Sequence, residues 1–391
     1  MIRTLFSSLL LCLFSIGIAA QSTLKWQIPM AYASEILDEP RPYRVMLPSG
    51  YSETPEKQYP LLLLLDGQRY GDLVATNATF LSGIDEIPEH LIVALDSGNR
   101  LRDYSPTDSP YWEGDGGGKE FLEFLKTELL PHLEKTYRVK NTTRIIWGHS
   151  AAGLFAMYTL YAAPGLFDAH LVNDGSLDWD DQVSERLLQK FLTSGASGKS
   201  FLYFNSSYLR TAIDPGQNFF GSMASMLENH APNHLRWVYD PLPDETHASI
   251  PMMGSIRALR SLYNGYKVSE AVMFDGLDAV IQHYDSVKGE IGAPEKIPEA
   301  VLNDLGYMLL FESPDDALAA FELATRLYPT SANAWDSLSD ACIELEKYDM
   351  ALTAIENSIK LARIKYPDKL EDLNEKHARI LELIKNKAQR N

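Results

Sequence analysis

"RIIWGHSAAGLFAMY", residues 144–158, joins a β-rich apolar run to an apolar helical run through one serine. "TRIIW" (143–147) has the composition of a buried strand, and "LFAMYTLYA" (154–162) has that of a buried helix. Between them stands G-H-S-A-A-G, close to the nucleophile elbow G-x-S-x-G. In that turn the serine backbone is strained, and a side chain two residues before or after it would strike the neighbouring strand. Gly148 meets the requirement in full, and Ala152 is one methyl larger than the usual glycine. The placement between strand and helix makes Ser150 the candidate nucleophile.

Working outward, short apolar runs alternate with helix-sized segments from residue 22 to about 265. "YPLLLLLDG" (59–67) and "HLIVALDSG" (90–98) are continuous apolar runs closed by Asp and Gly, as strands covered on both faces should be. "AHLVNDG" (169–175), "KSFLYFN" (199–205) and "LRWVYD" (235–240) extend the set, and "RPYRVMLPSGY" (41–51) precedes it. In "GGGKEFLEFLKTELLPHLEKTY" (116–137), Phe121, Phe124, Leu125, Leu129 and Leu133 recur at helical spacing. The expected fold class is α/β, a mainly parallel sheet with helices on both faces.

Three further groups complete the expected chemistry. A serine on such a turn needs a histidine late in the chain, and His247 in "PLPDETHASIP" (241–251) follows the last strand-like run. The acid is expected after "FLYFN" (201–205), where Ser206, Ser207 and Tyr208 offer no carboxylate. Asp214 is the first acid beyond that run and the candidate third member, with a Ser–His pair lacking a dedicated acid as the alternative. The N–H of Ala151 at a helix start, with that of Gly67 or Gln68 in "LLDGQRYGD", would hold a developing oxyanion. Arg102, Tyr104, Trp112 and Trp179 are candidate substrate contacts, through charge or ring stacking. Arg102 also has Asp103 beside it, so a loop-fixing pair is the competing expectation.

The bulk properties narrow the partners. A formal net charge of −18 over 391 residues repels phosphate backbones and anionic headgroups, so neither nucleic acid nor a membrane surface is expected. Hydrophobic residues make up 45%, enough for a packed core. Arg3, the apolar stretch Leu5–Ile18 and the small residues Gly17, Ala19 and Ala20 read as a signal peptide over 1–20, so export to the periplasm or the medium is expected. Its removal leaves Cys342 alone, which excludes an internal disulfide. No C-x-x-C or H-E-x-x-H spacing suggests a metal, and no cofactor is expected.

The character changes after about 266, and the first domain is taken as 22–292. Residues 293–391 are helical in pattern, and Ala317, Phe321 and Ala324 recur 34 residues on as Ala351, Ile355 and Ser358. That offset is the tetratricopeptide period, with Trp335 and Leu338 in suitable places, while an ordinary helical hairpin extension is the alternative. Such a tail is a candidate surface for a protein partner.

"VMLPSGY", "LLLLLDG", "RDYSPT", "GHSAAGLFAMY", "LFDAHLVNDGS" and "DETHASIP" occur in an order that resembles the putative esterase family of α/β-hydrolases. That family includes siderophore esterases, feruloyl esterases and S-formylglutathione hydrolases. The resemblance implies Ser150 as nucleophile, His247 as base, the Asp66-Gly67-Gln68 turn as part of the oxyanion hole, and a small-molecule ester as substrate. The expected activity is that of a serine carboxylesterase working through an acyl-serine. An acyltransferase using the same intermediate and an inert scaffold with a partner-binding tail are the alternatives.

Overall fold

The apolar runs become strands because the sheet is covered on both sides. In the computed structural model, which describes residues 24–52, 55–110, 113–208 and 219–390, eight strands form one sheet. They are β1 (Met30–Ser34), β2 (Glu39–Met46), β3 (Tyr59–Leu64), β4 (Leu91–Leu95), β5 (Val139–His149), β6 (Ala169–Asn173), β7 (Ser200–Ser207) and β8 (Leu235–Leu242). Their spatial order is β1-β2-β4-β3-β5-β6-β7-β8, with β1 and β2 antiparallel to their neighbours and β3 to β8 mutually parallel. The expected α/β class is what the chain adopts.

Alternation along the strands divides the core. Leu61, Leu63 and Ile146 face one buried cluster with Phe121, Phe124, Leu129, Leu154 and Phe155. Leu62, Leu64, Ile145 and Trp147 face a second with Val74, Ala78, Leu259 and Leu262. The first face carries α3 (Gly118–Phe124), a π turn at Leu125–Leu129, α4 (Leu130–Thr136), α5 (Ala151–Ala162), α6 (Trp179–Thr193) and α7 (Phe219–His230); the second carries α1 (Gly67–Gly83) and α8 (Ile250–Leu262). A short α2 (Arg100–Tyr104) precedes α3. The chain passes from β3 to β4 on one side and then returns to place β5 on the other. The crevice between the β3 and β5 ends is therefore a topological switch point, where open α/β sheets bind ligands.

After β8 the chain continues through α9 (Glu270–Phe274), α10 (Leu277–Val287), α11 (Glu299–Leu309), α12 (Pro314–Leu327), α13 (Ala332–Glu344), α14 (Tyr348–Lys365) and α15 (Leu370–Arg390). The repeated small residues do allow close packing: Ala317, Ala324 and Ala351 are buried, and Ser358 donates to the Ala332 carbonyl at 2.8 Å. Val280 and Tyr284 of α10 share one buried cluster with Leu302, Leu305 and Ala324. Packing thus runs across the boundary expected at 292/293. No helix among the described residues is long and apolar enough to cross a membrane. The segment expected as a signal peptide, 1–20, lies outside the described residues.

Two buried histidines link the core to pH. His90 pairs with the Tyr263 hydroxyl at 2.6 Å, and His170 lies 3.0 Å from Thr159 Oγ1. Burial disfavours their charged forms and pushes each pKa down to about 4. The unfolded chain, with histidines near 6.5, therefore binds more protons between these values, and stability must fall as pH drops from about 6.5 towards 4. Urea midpoints at pH 7, 5.5 and 4 are expected to decline from the first step, above the range where carboxylates titrate. A flat response from pH 7 to 5.5 would contradict this assignment.

Candidate active site

All the parallel strands end on one edge, so the turns after β3, β5 and β6 and the loop after β8 meet there. At the end of β5, Ser150 adopts φ 61° and ψ −121°. This conformation is costly for a residue with a side chain. It is held by Ser150 N–H donating to the Asn173 carbonyl (3.1 Å) and by the Ser150 carbonyl accepting from Leu154 (2.9 Å) and Ser176 (3.0 Å). A Cβ on Gly148 would lie 2.1 Å from the Ala152 carbonyl oxygen, so that position admits only glycine. The second tight contact falls at Gly153, not at Ala152: a Cβ there would come within 2.9 Å of Gly175 Cα. This is why alanine is accepted at 152. Ser150 Oγ lies 3.4 Å from Ser176 Oγ.

His247 stands in the loop between β8 and α8 and keeps 44% of its side chain exposed. Its Nδ1 lies 2.6 Å from Asp174 Oδ2. A carboxylate oxygen can only accept here, so the proton sits on Nδ1 and Nε2 is free to act as a base. Asp174 is fully buried at the end of β6 and also accepts from the Ser207 N–H (2.9 Å) and the Ser207 hydroxyl (2.8 Å). Sequence reasoning missed Asp174 by looking for the acid after β7. That position carries Ser207, which serves the acid instead of supplying one. The available signal was the carboxylate in "VNDGS", directly after the strand beside the elbow. Asp214 lies outside the described residues.

The turn after β3 places Asp66 in the left-handed region (φ 52°), with Gly67 and Gln68 opening α1. Arg100 ties this turn to the elbow: its Nε donates to Asp66 Oδ2 (2.8 Å) and one of its terminal nitrogens to the His149 carbonyl (3.2 Å). The Gln68 side chain is engaged with Ser97, donating to its hydroxyl at 2.5 Å and accepting from its N–H at 3.0 Å. What this turn can offer an oxyanion is therefore backbone. Ala151 begins α5 on the other side of the crevice.

Two expected substrate contacts are corrected. Tyr104 is 1% exposed, its ring packed against Phe121 and Phe155, and its hydroxyl accepts from the Asp66 N–H at 3.3 Å. It props the turn from inside, because α2 directs it into the core. Arg102 is bound to Glu39 and to Asp103 (2.8 Å), and Asp103 also pairs with the fully buried Arg41 at 2.7 Å. Its charge is spent within the protein, as the loop-fixing alternative anticipated. Trp179 is half-buried, with its indole N–H on the Thr107 carbonyl (3.2 Å) and its backbone N–H on the carbonyl (3.1 Å) of Ser176, whose hydroxyl neighbours Ser150. Trp112 lies outside the described residues.

Residues 34–182 match the family described as "Putative esterase". Over those residues the sheet domain resembles that family. The chain is 26% identical to the ferri-bacillibactin esterase BesA of Bacillus subtilis, over 37% of this chain and 56% of that protein. It is 33% identical to a siderophore enterobactin esterase of Emericella nidulans, over 23% of this chain and 31% of that protein. The chain therefore spans only about a third to a half of the length of these curated relatives. An IroE-like serine hydrolase from Shewanella oneidensis superposes with a TM-score of 0.67 at 26% identity, covering 78% of this chain and all of that one. An uncharacterised protein from Capnocytophaga ochracea shares the fold over 92% of this chain (TM-score 0.61, 15% identity) and is itself wholly covered. Donor atoms of His149, Asp174 and His247 lie within 4.8 Å of one another, the spacing of a metal site. Ser207, the His247 ring and the His247 carbonyl already engage those groups, so the cluster suits proton transfer better than metal binding.

Proposed function

We propose that this protein is an exported serine esterase that cleaves carboxylic esters through an acyl-serine. The observation that carries the reading is the 2.6 Å bond from His247 Nδ1 to buried Asp174, on the edge where Ser150 is held in a strained turn. His247 Nε2 takes the Ser150 Oγ proton as Oγ attacks the ester carbonyl carbon. The N–H groups of Ala151 and of Gly67 or Gln68 receive the oxyanion. The intermediate collapses, the alcohol leaves with the proton held by His247, and the acyl group remains on Ser150. Water, deprotonated by the same Nε2, then releases the acid and restores the serine.

The substrate class follows from the relatives whose names mark them as siderophore esterases: an ester or lactone of an iron carrier. Trp179, hydrogen-bonded to Ser176 beside the nucleophile, would stack on a flat aromatic acyl group such as a catechol amide. Export rests on the leader-like pattern of residues 1–20. The test combines a panel of esters, including a cyclic triester iron carrier, with a fluorophosphonate probe and mass spectrometry. Expected are an adduct on Ser150 and higher kcat/KM for the iron-carrier ester than for simple acetates. An unlabelled Ser150 would overturn the mechanism, and labelling without that preference would overturn the substrate class alone.

A further inference from the structure

β5 delivers two consecutive residues to the edge, and the mechanism above uses only the second. The first, His149, is 3% exposed and touches three separate loops or helices. Its Nε2 lies 2.9 Å from the His247 carbonyl oxygen, which can only accept, so Nε2 carries the proton and donates. Its ring lies against the His247 imidazole with centroids 4.5 Å apart and planes at 37°. Tyr70 of α1 meets it edge-on at 5.1 Å. Its backbone carbonyl accepts from Arg100, which holds Asp66 in the oxyanion turn.

The loop around His247 is tied down on either side of the imidazole, where Tyr208 N–H holds the Glu245 carbonyl (2.8 Å) and buried Ile250 N–H the Thr246 carbonyl (3.0 Å). The Thr246 and Ser249 side chains bond to each other and to Glu245 in the same turn. Asp174 fixes one nitrogen of the imidazole but leaves the ring able to swing about that bond. A second contact is needed to aim Nε2, and the residue next to the nucleophile supplies it.

We propose that His149 is a positioning residue for the catalytic base: its N–H clamp on the His247 carbonyl and its ring beside the imidazole set where His247 Nε2 meets Ser150 Oγ. The inference rests on the Ser150–His247–Asp174 reading. Neutrality of His149 supports it. Burial first, then the His247 charge, push its pKa down to about 3, and its Nδ1 has no hydrogen-bond partner among the described residues. The charged or titratable groups facing it are His247, Asp174, Arg100 and Tyr70. His149 thus stays uncharged while His247 becomes a cation during turnover, so its ring adds no positive charge against that step.

The test compares H149F, which keeps the ring and loses the donor, H149Q, which keeps a donor and loses the ring, and H149A, which loses both. kcat, KM, the rate of fluorophosphonate labelling and the thermal midpoint are measured for each. A displacement near 1 Å costs about 10²-fold, so H149A is expected to lose about that much in kcat, with H149F and H149Q each about 10-fold down and KM within about threefold throughout. Labelling should slow in parallel, because it needs the same proton transfer without substrate recognition. The acid limb of the pH–rate profile should remain where it is, because His149 does not titrate there. Wild-type kcat in both H149F and H149A, or a rise in KM at constant kcat, overturns the inference. If H149A fails to fold, H149F and H149Q decide alone. A wild-type protein that neither turns over esters nor labels at Ser150 overturns the underlying mechanism as well, a result distinct from labelled wild type with unaffected variants.

Discussion

Ser150→Ala is expected to lower kcat by at least about 10⁴-fold, because removal of the nucleophile from a triad leaves only the residual catalysis of the oxyanion donors and binding. The loss should come without loss of the fold. Alanine keeps the Cβ, so the φ 61° turn is no more strained than before, and among the described residues the hydroxyl's hydrogen-bond contact forfeited is the 3.4 Å approach to Ser176. The three backbone hydrogen bonds that hold the turn do not involve the hydroxyl. Thermal midpoint and turnover of a p-nitrophenyl ester measured on the same preparation separate the two effects. Retained turnover with an intact fold would place the chemistry on another residue.

Asp174→Asn should cost about 10⁴-fold in kcat, by the tautomer argument that applies to triad acids in general. Among the described residues the carboxylate accepts from His247 Nδ1, the Ser207 hydroxyl and the Ser207 N–H. A carboxamide has one oxygen and one NH2 group, so at least one of those donors meets another donor. If the NH2 faces His247, the ring must move its proton to Nε2 and can no longer take one from Ser150. If it faces Ser207, a fully buried polar clash lowers stability instead. Activity and urea unfolding measured together tell these outcomes apart. Asp214→Asn provides the control, expected within about threefold of wild type, since Asp174 already occupies the acid's place beside His247. The reverse result, a silent Asp174→Asn and an inactive Asp214→Asn, would restore Asp214 as the acid.

Much of this was legible in the sequence, for identifiable reasons. The runs at 59–65 and 90–95 announce themselves because strands covered on both faces must be apolar at every position. The elbow is legible because the turn leaves no room for a Cβ at Gly148. His247 is legible from chain order alone. The acid was not, because chain order pointed to the end of β7, whereas the carboxylate in "VNDGS" stands at the end of β6 and reaches His247 from there. Tyr104 and Arg102 were misplaced for a related reason. An aromatic in a loop reads alike whether a short helix turns it outward or, as α2 does with Tyr104, inward, and an arginine reads alike whether it meets a substrate or, like Arg102, neighbouring acids. The π turn at Leu125–Leu129 interrupts a helix whose apolar spacing gave no hint of it.

The shared cluster of α10 with α11 and α12 bears on how the tail can be handled in the laboratory. A chain cut at 292 would keep Val280 and Tyr284 while discarding Leu302, Leu305 and Ala324, the side chains that cover them. The shortened protein would present bare apolar helix faces to water and be prone to clumping. Separating catalysis from any partner recognition by the tail therefore calls for a cut upstream of Val268, or for point changes on the outer faces of the helices.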